Sequence, residues 1–233
     1  MKHLLLLTAL FALISGCGDD NPTSNNTTES AKGTTSSGDG DKSGSSTKMP
    51  DGKVWMTKNL DVETADSWCY GEGGPLRDTI NMNGEWIRLS PTEVQANCKK
   101  YGRLYTWDAA KTACPEGFHL PSYDEWWGLT TAAGGYDMAG KRLKSKSGWN
   151  SHGGKSGNGT DEYRFSALPG GRRLPDGTFN DVGRMGLWWT DTEQGNSNEN
   201  AYRRGMDYSF DIVDDHAYPK GYGFSVRCIQ DNE

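Results

Sequence analysis

The residues of this chain able to do chemistry are five cysteines, a tryptophan pair, a late acidic stretch and four histidines. With Cys17 set aside, Cys69, Cys98, Cys114 and Cys228 form an even set. In an exported chain such a set points to two disulfides, and four cysteines allow three pairings. Zinc is disfavoured, because there is no C-x-x-C spacing and the histidines are scattered. Trp188-Trp189 lies in a strand-like run, where alternation sends one ring inward and one outward. An outward indole would stack on the apolar face of a pyranose or fill a partner's pocket. Burial of both rings, against core or a long loop, is the competing arrangement and the one expected more often. Tyr202, Tyr208, Tyr218 and Tyr222 are further ligand-binding candidates. Asp207, Asp211, Asp214 and Asp215 are oxygen donors of the kind Ca²⁺ takes, but no EF-hand-like loop surrounds them, so solvated turn carboxylates are expected. His119, between Phe118 and Leu120, reads as a hydrogen-bonded core histidine. Adjacent Asp124 and Glu125 point in different directions on a helix, which suits capping and not a glycosidase pair. There is no G-x-S-x-G, H-E-x-x-H or phosphate loop. The expectation is a non-catalytic protein with no metal and no cofactor.

These residues need elements to hold them. Asp51-Gly52 signals a turn, and Lys53–Met56 reads as a first strand. Arg103–Thr112 reads as a helix with Leu104, Trp107 and Ala110 on one side. Ser122-Tyr123-Asp124-Glu125 is a capping box opening a second helix that buries Trp126 and Leu129 and ends at Gly134-Gly135. After Tyr163 come short strands between Gly, Pro and Asp turns. The likeliest are Leu187–Thr190, Ala201–Met206 and Phe224–Cys228. This order is α+β: two helices packed on short antiparallel strands with a long loop-rich region.

Composition agrees. Of 233 residues only 33% are hydrophobic, while Gly (31), Trp (9) and Tyr (10) are abundant, which suits a loop-rich domain with an aromatic core. A net charge of −6 with no basic block gives no electrostatic case for nucleic acid. Residues 1–16 read as a signal peptide: Lys2 and His3, then an apolar run from Leu4 to Ile14. Ser15-Gly16-Cys17 resembles the bacterial lipobox, which makes Cys17 the lipidated residue and the membrane a partner through that anchor. By resemblance to bacterial lipoproteins, Gly18 in place of Asp implies outer-membrane sorting, and Asp19-Asp20 suits surface exposure or simply a solvated tether. Residues 17–48 are the lipidated cysteine and a polar Ser/Thr/Gly/Asn/Asp tether with a reach of about 30 Å. Residues 49–233 form the folded domain.

A run of motifs then narrows the reading. The helix carrying Trp107, Ala110 and Cys114, followed by Gly117, Leu120 and a helix bearing Glu125, with a last strand carrying Cys228, resembles the C-type lectin-like superfamily. Asp51–Leu60, Tyr101–Ala110, Cys114–Pro121, Lys144–Trp149, Asn158–Asp161, Phe165–Gly171 and Gly223–Cys228 together resemble the Fibrobacter succinogenes major paralogous domain, over roughly Asp51 to Asp231. The superfamily joins its first helix to its last strand by a disulfide, which implies Cys114–Cys228 and leaves Cys69–Cys98. The family implies exported or surface-anchored proteins, often lipoproteins. A calcium-independent module binding a polysaccharide, or a structural protein binding another surface protein, would follow. Calcium-dependent lectins use Glu-Pro-Asn or Gln-Pro-Asp loops and a Trp-Asn-Asp strand, and this chain has none. The related formylglycine-generating enzymes need two redox cysteines near the C-terminus; only Cys228 lies there, so that oxidoreductase activity is not implied.

Overall fold

The computed structural model describes residues 45–195 and 198–231. Residues 1–44, which include the segment read as a signal peptide, Cys17 and most of the segment read as a tether, lie outside the described residues. Among those described, no helix is long and apolar enough to cross a membrane.

The domain is α+β. It opens with β1 (Ser46–Lys48), β2 (Val54–Met56) and β3 (Ser67–Cys69). Then come α1 (Pro91–Tyr101), β4 (Arg103–Tyr105), α2 (Trp107–Ala113), β5 (Phe118–His119), α3 (Tyr123–Ala132) and α4 (Ala139–Leu143). Two short pairs follow, β6 (Ser151–His152) with β7 (Lys155–Ser156), and β8 (Gly170–Arg173) with β9 (Phe179–Val182). The long strands are β10 (Met185–Glu193), β11 (Asn200–Asp207) and β12 (Asp214–Pro219), and β13 (Ile229–Gln230) ends the domain. β10, β11 and β12 form one antiparallel sheet; β1, β2, β13 and β5 form another, in that order.

Several expectations change here. β1 comes from the end of the segment read as tether: it pairs with β2 in the register Ser46↔Met56, Thr47↔Trp55 and Lys48↔Val54. The helix expected over Arg103–Thr112 begins with a strand, β4, paired to β3, and turns helical only after Thr106 caps α2. Gly102 makes the break. Its φ is 75°, and a Cβ there would sit 2.6 Å from the Leu60 carbonyl oxygen. Helix α1 was not foreseen, although Ser90 and Glu93 form a capping box with Pro91 just inside. Asp214 and Asp215, expected as turn carboxylates, instead begin the strand β12. Phe224–Cys228 runs extended but makes isolated bridges, to Tyr105 and to Trp188, and not a full ladder.

β10 lies between two halves of the core. Trp188 faces Trp55, Trp126, Phe165 and Met206, while Trp189 faces Tyr105, Trp107, Phe224 and Val226. At the centre, Asn59 accepts from Trp188 Nε1 (2.9 Å) and from Arg227 Nη2 (2.8 Å), and donates to the Tyr101 carbonyl (2.9 Å). Burial pushes the Arg227 guanidinium down to about 9, so it stays charged at neutral pH. It donates also to the carbonyls of Met56 and Phe165. Charge-assisted bonds of this kind offset the desolvation of a buried cation.

The disulfides join Cys69 to Cys98 and Cys114 to Cys228. The first ties α1 to β3. The second ties the end of α2 to the segment entering β13.

Candidate functional site

Of the six aromatic candidates, two are excluded at once. Trp188 and Trp189 both have 0% exposure. Strand alternation exposes one face only where a sheet is covered on one side, and β10 is covered on both. Each indole N–H is spent inside, on Asn59 and on the Tyr105 carbonyl (2.8 Å). Neither ring can form a surface platform.

Tyr202 is different. It lies on β11 opposite Ala217 of β12 and is half-buried, between the buried Ala201 and Arg203. Its ring meets that of Tyr123 edge to face, with centroids 5.1 Å apart. Tyr123 is the first residue of α3, placed there by the reciprocal hydrogen bonds of Ser122 and Glu125. A register shift between Trp189 and Glu193 turns the end of β10, as bulges do. Thr192 in that stretch accepts from the Tyr123 backbone N–H at 3.0 Å. Ser122, Tyr123, Asp124, Thr192 and Tyr202 line a shallow open cleft of about 400 Å³.

The floor is fixed by charge. The Arg204 guanidinium lies 4.0 Å from the Tyr123 ring centroid, and its Nη2 donates to the Tyr123 carbonyl at 3.0 Å. The Tyr123 hydroxyl donates to Asp215, which also pairs with Arg204 at 3.5 Å. The hydrogen bond to Asp215, followed by burial, raises the Tyr123 pKa, so the phenol stays a neutral donor. At the rim the situation reverses. Asp124 is exposed, and neither its carboxylate nor the Tyr202 hydroxyl has a hydrogen-bond partner among the described residues. The cleft therefore combines aromatic surface, a carboxylate and a hydroxyl with open valences.

A model of one protein family, the Fibrobacter succinogenes major domain, matches residues 51–230. The chain belongs to this family. No curated protein and no solved structure matches the chain. The matched range of the Fibrobacter succinogenes major domain takes in both disulfides and the whole cleft, and starts just after β1.

In this Fibrobacter succinogenes major domain the other candidates lie apart from Tyr202. Tyr208 packs against His152, with centroids 5.5 Å apart, and lies under the Arg184 guanidinium. Tyr218 and Tyr222 meet each other at 5.2 Å and both rest on Phe224. The acidic stretch is dispersed among separate partners. Asp207 caps Ser209, Asp211 pairs with Lys144, Asp214 with Arg203, and Asp215 with Arg204. Among the described residues no group of three or more His, Cys, Asp and Glu is placed to hold a metal.

His119 is not a core histidine. Its side chain is 36% exposed and sits between two carboxylates, with Nδ1 2.6 Å from Asp231 and Nε2 3.1 Å from Glu125. Burial draws its pKa down, but the hydrogen bonds and charges of Asp231 and Glu125 outweigh that and raise it. Burial would likewise raise Glu125; Lys53 at 2.8 Å, the Ser122 backbone N–H and His119 hold it down at about 2. Among the described residues no nucleophile is paired with this histidine. The geometry is that of a staple joining β2's hairpin, α3 and the C-terminal segment.

Tyr123, Asp124 and Thr192 were not singled out as ligand candidates from sequence. The capping box placed Tyr123 and Asp124 at a helix start, but nothing local announced that β11 would bring Tyr202 beside them.

Proposed function

We propose that this chain is an envelope-anchored lipoprotein whose domain, with a C-type lectin-like fold, binds a glycan without calcium and without catalysis. The observation that carries this reading is the Tyr123–Tyr202 cleft, with the partnerless carboxylate of Asp124 at its rim. Vicinal hydroxyls of a sugar donate in pairs to a carboxylate, and the apolar face of a pyranose packs on an aromatic ring. The cleft is open, which suits a polymer passing across it. The disulfide from the end of α2 to the segment entering the last strand supports the superfamily reading. The Ser15-Gly16-Cys17 motif supports the anchor. A protein partner is the second reading, favoured by Ile80, Met82 and Trp86, exposed together on a bridged loop.

Residues 45–233 are to be titrated with plant and bacterial polysaccharides, with and without EDTA. Saturable, EDTA-resistant binding is expected. Tyr202→Ala should weaken it at least about tenfold, or about 1.4 kcal/mol, with an unchanged melting temperature. Equal binding by wild type and by both Tyr202→Ala and Asp124→Asn would overturn the site. EDTA-sensitive binding would overturn calcium independence. Absence of any glycan binding, with loss of a co-purifying envelope protein on Trp86→Ala, would establish the second reading.

A further inference from the structure

A second depression, of about 1160 Å³, lies away from the tyrosine cleft, between α1 and the segment around β3. Both cysteines of the Cys69–Cys98 disulfide line it. Cys98, on α1, is partly exposed. Arg103, on β4, reaches the same bond from below. Its Nη1 lies 3.4 Å from Cys69 Sγ and 3.8 Å from Cys98 Sγ, and sulfur is the only hydrogen-bond partner of that nitrogen among the described residues. The rest of the guanidinium is held rigidly. Nε donates to Ser67 Oγ (3.0 Å), and Nη2 to the Ser67 carbonyl (2.8 Å) and to Glu72 (3.3 Å). Glu63 is more distant, at 3.9 Å. In the other disulfide Cys114 is likewise partly exposed and Cys228 is buried in the core around Phe224, so the guanidinium and the groove, not burial, set the Cys69–Cys98 bond apart.

We propose that Cys69–Cys98 is a thiol–disulfide exchange site, open to a dithiol reductant through this groove, while Cys114–Cys228 is purely structural. A thiolate of the reductant attacks Cys98 Sγ. The Cys69–Cys98 bond breaks, its electron pair leaves on Cys69, and a mixed disulfide forms between Cys98 and the reductant. Arg103 Nη1 donates to the new Cys69 thiolate, a charge-assisted bond made at full strength only once the sulfur is anionic. The reductant's second thiolate then attacks its own sulfur in the mixed disulfide and releases Cys98. Two electrons pass to the protein, and the reductant becomes a disulfide. Of its two protons, one goes to Cys98 and one to solvent. A better leaving thiolate leaves faster, so Arg103 sets the rate of the first step. The charges facing Cys69 are the Arg103 cation and the Glu72 carboxylate, which accepts the Cys69 backbone N–H at 2.8 Å; Asp61 and Lys99 lie on the groove wall. Opening the bond removes the covalent tie between α1 and β3.

The test uses residues 45–233 in dithiothreitol buffers of stepped redox ratio, with alkylation and mass spectrometry to read each cysteine. Cys69 and Cys98 should be labelled under conditions that leave Cys114 and Cys228 closed. Arg103→Gln should slow opening at least about tenfold, with partial rescue by Arg103→Lys. Access through the groove alone would also make this bond the first to open, so a second readout isolates the role of Arg103. In Cys98→Ser, the pH midpoint for alkylation of Cys69 should fall below the ordinary thiol value of about 8.5. Simultaneous opening of both disulfides, or a Cys69 midpoint at or above about 8.5, would overturn the proposal. If Arg103→Gln fails to fold, the Cys98→Ser profile decides alone.

Discussion

His119 carries a pH dependence that can be worked out in sign. Its raised pKa means that its contribution is complete below the ordinary histidine value of 6.5 and is lost as pH rises through the raised value. Glu125, depressed to about 2, contributes fully above its ordinary 4.5 and loses that contribution as pH falls towards 2. Both act together between 4.5 and 6.5. His119→Asn should therefore lower stability most in that window, and the deficit should shrink on the alkaline side. Because the His119 side chain is 36% exposed, the deficit should stay under about 1 kcal/mol. Urea denaturation of both proteins across the pH range measures it; a deficit that grows with pH would contradict the staple. The sequence showed His119 only as a polar residue between two apolar ones. Its partners Glu125 and Asp231 arrive from another helix and from the far end of the chain, and no local pattern announces that.

At the scale of elements, legibility followed local chemistry. The Ser122–Glu125 capping box was read correctly because an apolar stripe with Trp126 and Leu129 follows it. The same signature at Ser90–Glu93 passed unnoticed because α1 buries only Tyr101 and has no stripe. Leu104 and Trp107 stand three apart and so imitate one helical face, but they lie on either side of the strand-to-helix change at Thr106. β1 was hidden by composition: Ser46, Thr47 and Lys48 read as tether, yet they supply backbone hydrogen bonds to β2. The consequence can be measured. A chain shortened to begin at Met49 leaves β2 with an unpaired edge, which invites pairing with another copy. It should melt lower than the chain beginning at residue 45 and should self-associate in analytical ultracentrifugation. Identical melting and a monomer for both would show β1 to be dispensable.

For the whole molecule, the two disulfides close loops of different size. The sequence separations are 29 and 114 residues. Chain-entropy scaling gives about 3.6 kcal/mol for Cys69–Cys98 and about 4.8 kcal/mol for Cys114–Cys228. Replacing each pair by alanine should reproduce that order in urea denaturation, with an added penalty at Cys228, whose neighbours lose a fully buried sulfur. A larger loss from the Cys69–Cys98 replacement would mean that α1 stabilises the domain beyond its tie to β3. The candidate site was legible only in part for a related reason. Tyr202 could be suspected from its type, but the cleft exists because α3 and β11, some 70 residues apart in sequence, are packed on β10. For Trp188-Trp189 the structure holds the buried arrangement and not the outward indole, since a two-sided core takes both rings.

The same core has an optical consequence. Trp55, Trp126 and Trp188 stand in a row, with centroids 5.0 Å and 5.9 Å apart and planes inclined at 64° and 39°. Chromophores this close, held at skewed angles in a chiral frame, couple their electronic transitions. Excitation absorbed by one indole is shared with the next. The folded domain thus carries its own circular-dichroism and fluorescence reporter, and any event that loosens α3 from β2 and β10 is visible without a label.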